Sequence, residues 1–330
     1  MKRKIVQHGS STLIVSLPAN WVKQNGIKKG DELDVSEEGK TLVIGADKVA
    51  TNYSLTEDIS KLKPFLVTRF LGRVYQKGYD KVFLVHNSPE LLKVIQEKML
   101  ELIGYEIIEQ NDKTCLIQSI SSKIELDFDN SLRKAFLIVK QMLETAYDAY
   151  KDGDKSTLEN LYIKDIEVNR FTYFLRRQIN REQYVAAERE QQSHILYYLI
   201  ENLEDLGDFF KKLAKNLALT KKKNKDILNL LEMLRDQFEL SYSYFYKANI
   251  EKANQAYSIF TDIDKNIRDV IETSLNPDEI MALFKIKSAA DLIYNFTTMR
   301  LDFLKENTNK FEDFHENSAY KSERKMRIIM

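Results

Sequence analysis

The first fifty residues consist of short runs in which apolar and polar side chains alternate. This period of two predicts four strands, separated by turns that contain glycine. The predicted strands cover residues 4–7, 12–17, 32–35 and 41–44, and a short helix covers residues 18–26. Four small strands cannot bury enough surface to fold alone. The pattern therefore predicts a partner for residues 1–50, most simply a second copy of the chain.

Residues 54–125 combine both kinds of periodicity, which predicts a small α/β unit. Helical spacing of apolar residues predicts helices near residues 57–75 and over 89–103. Shorter apolar runs predict strands at residues 81–86, 105–109 and 114–120.

From residue 129 onward, apolar residues recur at helical spacing, and no proline lies between Pro89 and Pro277. The pattern predicts helices over residues 130–150, 155–180, 182–219, 224–248, 250–274 and 277–304. Short links between them suggest two three-helix bundles, at residues 129–220 and 224–304. Residues 305–330 form a polar tail. The expected fold is multidomain and mainly α, with a small N-terminal β unit and an α/β unit.

Composition excludes several classes of protein. With 43% hydrophobic and 30% charged residues, the chain can bury a core and is not globally disordered. No apolar run approaches the ~20 residues that span a bilayer, and the N-terminus is not typical of a signal peptide. One cysteine, Cys115, excludes a disulfide framework and a cysteine-built metal site. We expect a soluble, cytoplasmic protein that is not an integral membrane protein.

Charge is balanced overall, with 50 basic and 50 acidic residues, but it is sorted along the chain. Residues 1–30 contain basic residues and no acid, whereas residues 31–40 contain five acids. The basic residues are Lys2, Arg3, Lys4, Lys23, Lys28 and Lys29. A basic patch on a small β unit is typical of contact with a phosphate backbone. An ordinary basic start to a chain is the alternative interpretation.

The stretch from Gly9 to Val22, GSSTLIVSLPANWV, followed by GIKKGDELDV from Gly26, resembles the AbrB/SpoVT-like swapped-hairpin family. The resemblance covers about residues 3–48. It implies that two chains interleave their hairpins into one small barrel, a homodimer that binds DNA with basic residues. The implied phosphate contacts are Lys2, Arg3, Lys4 and Lys23, with neutral hydrogen bonds from Ser10, Ser11 and Asn20.

An acidic stripe lies on the third predicted helix, formed by Glu201, Glu204, Asp205 and Asp208. At about 100° per residue these acids share one side of the helix, away from its apolar face. One interpretation is a solvated surface. The other is a set of oxygen ligands for a divalent metal, or for iron if His194 or a neighbouring helix contributes. Asp165, Asn169 and Thr172 on the second helix are the candidate neighbours.

Residues 202–208, NLEDLGD, resemble the PhoU family motif, in which a Glu-x-x-x-Asp step with glycine before the aspartate recurs in two three-helix bundles. The resemblance spans about residues 130–304. It implies regulation of phosphate uptake and, in several members, metal binding by these carboxylates. The counterpart in the second bundle ends in Ala290 and Asp291, but Lys287 replaces its first acid. Asp291 is therefore a weak second metal site.

The order of a hairpin barrel followed by helical bundles resembles archaeal phosphate-uptake regulators. The favoured hypothesis is a phosphate-responsive, DNA-binding transcriptional regulator whose bundles sense phosphate status through a metal or a protein partner. A second hypothesis is a dimeric adaptor that docks on a phosphate transporter ATPase or a sensor kinase without binding DNA. A third is a di-iron helical-bundle enzyme, but the six predicted helices carry no Glu-x-x-His pair. We expect no enzymatic activity.

Overall fold

The computed structural model describes residues 3–9, 12–38, 41–46, 53–120, 126–181, 193–273 and 275–303. Three of the predicted DNA contacts, Lys2, Ser10 and Ser11, lie outside the described residues, as does the predicted polar tail.

Two antiparallel hairpins form the N-terminal unit. The first pairs β1 with β2, the second pairs β3 with β4, and helix α1 lies between them in sequence. Their bounds are Val6–His8 (β1), Thr12–Ile14 (β2), Ala19–Gln24 (α1), Leu33–Glu38 (β3) and Thr41–Ala46 (β4). Gly30 has a positive φ of 101° in the turn before β3, where the Lys28 amide donates to the Asp31 carboxylate at 2.7 Å. Within one chain the hairpins form separate two-stranded sheets, so the interleaved dimer stays a prediction.

The α/β unit has a four-stranded sheet in the order β5-β6-β8-β7, in which β5 and β6 are parallel and the other pairs antiparallel. Its elements are β5 (Ser54–Asp58), α2 (Pro64–Gln76), β6 (Lys81–Val85), α3 (Pro89–Met99), β7 (Tyr105–Gln110) and β8 (Thr114–Ser119). Alternate residues of β6 and β8 are fully buried in the core of this unit, among them Leu84 and its register partner Cys115. Burial raises the pKa of the Cys115 thiol to about 11. Cys115 therefore acts as a small apolar residue of the core.

The predicted helix near residues 57–75 is wrong in its first part, because residues 54–58 form strand β5 and the helix begins only at Pro64. Strand β5 lies at the edge of the sheet, and all its side chains except Leu55 are exposed. The alternation of apolar residues that reveals a half-buried strand is therefore missing from it.

Helices dominate the rest of the described chain. They are α4 (Phe128–Asp152), α5 (Lys155–Glu159), α6 (Tyr162–Asn180), α7 (Ser193–Leu219), α8 (Lys225–Tyr246), α9 (Ile250–Ile271) and α10 (Pro277–Met299), with a 3-10 turn at Arg300–Phe303. The single helix predicted over residues 155–180 is wrong, since the chain breaks into α5 and α6 at residues 160–161. The first part of the helix predicted over 182–219 lies outside the described residues up to residue 192. At Asn276 a capping box with Glu279 starts α10, and the helix predicted from residue 277 begins at Pro277.

The two predicted bundles share one continuous apolar core. Helices α4, α6 and α7 form the first triplet and α8, α9 and α10 the second, and α7 packs extensively against α10 between them. The fold is therefore mainly helical and multidomain, as predicted. The α/β unit packs against the first triplet through α2 and α6, and Tyr173 of α6 belongs to the core of the α/β unit.

Candidate functional site

Helices α6 and α7 approach closely at Gly207 of α7, a residue without a side chain. A Cβ atom at Gly207 would lie 3.1 Å from Cγ1 of Val168 and 3.3 Å from Oδ1 of Asp165. Glycine costs a helix interior about 1 kcal/mol relative to alanine, so the close packing of the two helices accounts for its presence. This contact brings the acidic stripe of α7 against α6.

Arg176 of α6 binds the N-terminal end of the acidic stripe, at Glu201 and Glu204. Its side chain has no exposed surface, and its Nη2 donates to Oε2 of Glu204 at 2.8 Å. Nη1 of the same guanidinium contacts Oε1 of Glu201. The Arg176 Nε donates to the carbonyl of Thr172 at 3.3 Å, and its guanidinium lies 5.1 Å from the ring centre of Tyr173. One arginine thus bridges two carboxylates of α7.

The α/β unit adds two more arginines from α2. Arg73 donates to Glu201 at 3.0 Å, and Arg69 lies 3.7 Å from Glu204. The Tyr173 hydroxyl also donates to Glu204, at 3.3 Å. We call Arg69, Arg73, Arg176, Glu201 and Glu204 the arginine–glutamate cluster. It joins the α/β unit to the first helical triplet.

The electrostatics of this cluster favour its charged form. Burial lowers the pKa of Arg176, but the attraction of Glu204 and Glu201 outweighs burial and raises it overall. Burial raises the pKa of Glu201, yet its ion pairs with Arg176 and Arg73 outweigh burial and lower it. The glutamate is therefore a carboxylate throughout the neutral range.

Lys211 pairs with Asp208, at the C-terminal end of the acidic stripe. Its ammonium contacts the buried carboxylate of Asp165 and lies 2.6 Å from Oδ1 of Asp208, while Lys212 lies 3.2 Å from Oδ2 of Asp208. Burial opposes ionisation of Asp208, but the two lysines outweigh it and lower its pKa. Burial dominates at Asp165 and raises its pKa, although Lys211 counteracts it.

The remaining predicted ligands are not gathered into one site. The side chain of Asp205 is exposed, yet partial desolvation, together with the neighbouring carboxylates Glu204, Glu201 and Asp208, raises its pKa. His194 is exposed, and the Thr172 hydroxyl donates to a carbonyl of its own helix, that of Val168 at 3.0 Å.

Asp291, the predicted second site, pairs with Lys287 at 2.5 Å. The same lysine lies 3.5 Å from Asp264 of α9. The lysine that replaces an acid in the sequence motif therefore lies between two carboxylates.

The described DNA-contact candidates lie on the N-terminal unit. Arg3, Lys4, Asn20 and Lys23 are all exposed. Arg3 and Lys4 precede β1, whereas Asn20 and Lys23 lie on α1, which ends at Gln24. Apolar side chains of the first hairpin are exposed as well, including Leu13 at 68% and Ile14 at 46%.

Two family models match the chain. Residues 6–51 match the model described as antidote-toxin recognition MazE, bacterial antitoxin, and residues 132–217 match the PhoU domain. This chain joins a MazE-type domain to a PhoU domain. A solved structure, the phosphate transport system regulatory protein PhoU from Streptococcus pneumoniae, is similar at 15% identity and a TM-score of 0.47. The similarity covers 53% of this chain and 91% of that one. A search of curated proteins finds no match.

The acids of the PhoU domain do not fit a metal centre in this arrangement. Each carboxylate pair already contacts a cationic side chain, and in the parts of the chain that the structure describes, no group of three His, Cys, Asp or Glu side chains could hold a metal ion. A metal ion needs several free oxygen ligands directed at one point. The predicted metal ligands thus act here as partners of arginine and lysine.

Sequence analysis missed the cations of this site. Arg176 lies 28 residues from Glu204, and Arg73 lies 128 residues from Glu201, so no helical spacing links them. The local sequence signal for these cations was the Arg176-Arg177 pair within a predicted helix. Adjacent residues on a helix face different neighbours, so the pair indicates that two contacts are made.

Among the described helices, none is both long and apolar enough to cross a membrane.

Proposed function

We propose that this chain is a homodimeric regulator of phosphate uptake that binds DNA through its MazE-type domain. The observation that carries the proposal is the order of the two matched domains in one chain, MazE-type at residues 6–51 and PhoU at residues 132–217. The first supplies a contact with DNA, and the second supplies the response to phosphate status. Binding to DNA places the protein in the cytoplasm.

Exposed charge supports the DNA contact. Arg3, Lys4 and Lys23 project from a unit whose first thirty residues contain no acid. A homodimer doubles this basic surface while the net charge of the whole chain stays zero. Neutral donors such as Asn20 add hydrogen bonds to phosphate oxygens.

Exposed apolar surface supports the dimer. Ile5, just before the first hairpin, is 68% exposed in the single chain, and within the hairpin Val6 is 56% and Leu13 68% exposed. A two-stranded hairpin is marginally stable by itself, and a second copy would bury these side chains.

The phosphate signal reaches the PhoU domain through a protein partner, a phosphate transporter ATPase or a sensor kinase. The ion pairs of the acidic stripe favour a partner over a metal as the source of the signal. Docking of the partner changes the position of the helices, and the change alters the affinity of the dimer for DNA.

Binding to upstream DNA of phosphate-transport genes, measured by fluorescence anisotropy at several salt concentrations, tests the DNA contact. We expect affinity to fall linearly with salt on logarithmic axes, because basic side chains release counterions from the phosphates. Substituting glutamate for Lys2, Arg3 and Lys4 together should abolish binding.

The matched control substitutes glutamate for Lys221, Lys222 and Lys223, which lie in an exposed loop between α7 and α8. This control changes the net charge by the same amount as the N-terminal variant. If the N-terminal residues make the contact, the affinity for DNA should therefore stay within about threefold of that of the unaltered protein. Equal losses in both variants, or no salt-dependent binding by the unaltered protein, would contradict the proposal.

An adaptor without DNA binding is the second candidate. Exposed apolar residues on α10, Met281 at 46% and Phe284 at 57%, offer a surface for a protein partner. In this case the triple glutamate variant at residues 2–4 would still bind the transporter ATPase or sensor kinase, and no fragment of DNA would bind.

A further inference from the structure

Among the described residues of the helical region, three cationic side chains each lie between two carboxylates of which at least one is a predicted metal ligand. Arg176 lies between Glu201 and Glu204, and Lys211 lies between Asp165 and Asp208. The third cation is Lys287, between Asp264 and Asp291. The same relation between a cation and two acids thus recurs in both helical triplets.

We propose that the acidic stripe is an intramolecular docking face for the α/β unit, in which arginine and lysine side chains take the places that metal ions would need. The inference concerns the PhoU domain and the α/β unit alone, and it stands whether or not the N-terminal unit binds DNA.

The environment of Arg176 explains why a metal ion would not displace it. An arginine guanidinium keeps its proton at all physiological pH values. Arg176 is fully buried, its Nε is held by the Thr172 carbonyl, and its plane lies beside the ring of Tyr173. A divalent ion at Glu201 and Glu204 would have to remain within a few ångströms of this fixed positive charge, which is strongly unfavourable at low dielectric.

Contacts from α2 show what the stripe binds instead. Arg69 and Arg73 reach Glu204 and Glu201 from the α/β unit, with side chains about half exposed. Charge is therefore complementary across the boundary, with arginines on α2 and glutamates on α7. Beside these pairs, Lys98 of α3 lies 4.6 Å from the ring centre of Tyr173 and pairs with Glu101 at 2.5 Å.

A second set of contacts at the end of α6 attaches the same unit. Arg177 donates to the carbonyls of Tyr75 and Tyr79 at 2.9 and 2.8 Å and to Asp80 at 3.1 Å. Arg181 donates to Asp80 at 2.6 Å and to the carbonyl of Gly78 at 2.7 Å. The α/β unit is thus fixed at two places, so a displacement of α6 or α7 moves it as well.

Metal content of the full-length protein tests the first half of the proposal. The protein is treated with EDTA, dialysed separately against Mn²⁺, Fe²⁺ and Zn²⁺, desalted and analysed by mass spectrometry for bound metal. We expect the unaltered protein to retain no more metal than the variant Glu201→Gln, Glu204→Gln, Asp208→Asn. One or more equivalents per chain in the unaltered protein that are lost in the variant would overturn it.

Hydrogen exchange tests the docking half. In the full-length double variant Arg69→Ala, Arg73→Ala, we expect amides of α2 (Pro64–Gln76) to exchange roughly three- to tenfold faster, because the unit opens more often. Lys93→Ala is the matched control, since Lys93 pairs with Glu97 in its own helix. Unchanged exchange in α2, or an equal effect of the control, would overturn the docking role. Both substituted arginines are half exposed, so the variant remains folded.

Discussion

At the scale of single residues, Gly207 determines how closely the acidic stripe approaches α6. Its hydrogen atom leaves space for Val168, whose side chain is fully buried on the opposing helix. The ion pair between Lys211 and Asp165 forms one turn farther along α7, at the same helix contact. A larger residue at position 207 would therefore disturb packing and charge pairing together.

Replacing Gly207 by alanine should destabilise the protein by about 1 kcal/mol. Overpacking costs about 1–3 kcal/mol and outweighs the gain of about 1 kcal/mol in helix propensity. In a Val168→Ala background, which removes the obstructing methyl groups, the same substitution should stabilise by up to about 1 kcal/mol. Denaturant unfolding of all four proteins measures the change of sign, and a destabilisation of the same size in both backgrounds would contradict it.

At the scale of elements, α6 and α7 form a contact surface whose stability depends on ionised glutamates. The pKa of Glu201 lies below its ordinary value of 4.5 in the folded protein, so ionised Glu201 stabilises the fold above that pH. This contribution is lost as the pH falls through the lowered, folded-state pKa. Asp165 and Asp205, whose pKa values are raised, contribute in the opposite direction.

The variant Glu201→Gln should therefore be less stable than the unaltered protein at pH 7, by about 1–2 kcal/mol, since Arg176 and Arg73 lose part of their charge partner. The difference should shrink as the pH falls below 4.5 and through the lowered pKa of Glu201. Comparing the two proteins at each pH cancels the effects of other titrating groups. Glu167→Gln, an exposed position on α6, serves as the control and should change stability by less than about 0.5 kcal/mol. A loss that does not shrink as the pH falls below 4.5 would speak against the assignment.

The sequence predicted elements well where one face is buried. Helix α10 is an example, because apolar residues at helical spacing predict a helix from residue 277 and the structure begins it at Pro277. Strand β5 was missed because an edge strand with exposed side chains has no apolar alternation. The break between α5 and α6 was missed because neither glycine nor proline marks it.

The same contrast holds for the site. Helical periodicity alone placed Glu201, Asp205 and Asp208 on one side of α7. The partners of these acids could not be predicted, because ion pairs with Arg73 and Arg176 depend on how separate elements pack. A carboxylate pattern in sequence is the same whether metal ions or arginines neutralise it.

At the scale of the whole molecule, the MazE-type domain differs from the rest of the chain in burial. The α/β unit and the helical region each have a core of buried side chains, whereas both strands of the first hairpin are exposed throughout. Assembly of two chains at this end would therefore complete the N-terminal fold and set the spacing of the two PhoU domains.

Substituting Leu13 by glutamate should convert the proposed dimer to a monomer. A buried, unpaired carboxylate at the interface would weaken association by about 3 kcal/mol, roughly a hundredfold or more. Sedimentation velocity at micromolar concentration measures the change. Ile250→Glu, at a position 69% exposed on α9, is the control and should not alter the sedimentation coefficient. A Leu13→Glu protein that sediments as a dimer would contradict the assembly.

Helix α6 has a consequence for how the chain could be divided or recombined. By sequence, a boundary at residues 126–128 separates an α/β module from a helical one, yet α6 lies beyond that boundary. Its arginines satisfy the carbonyls of Tyr75, Gly78 and Tyr79, and its Tyr173 fills the α/β core. An α/β unit excised at this boundary would expose its core and lose its carbonyl donors. Any division of the chain for expression should therefore keep α6 together with the α/β unit.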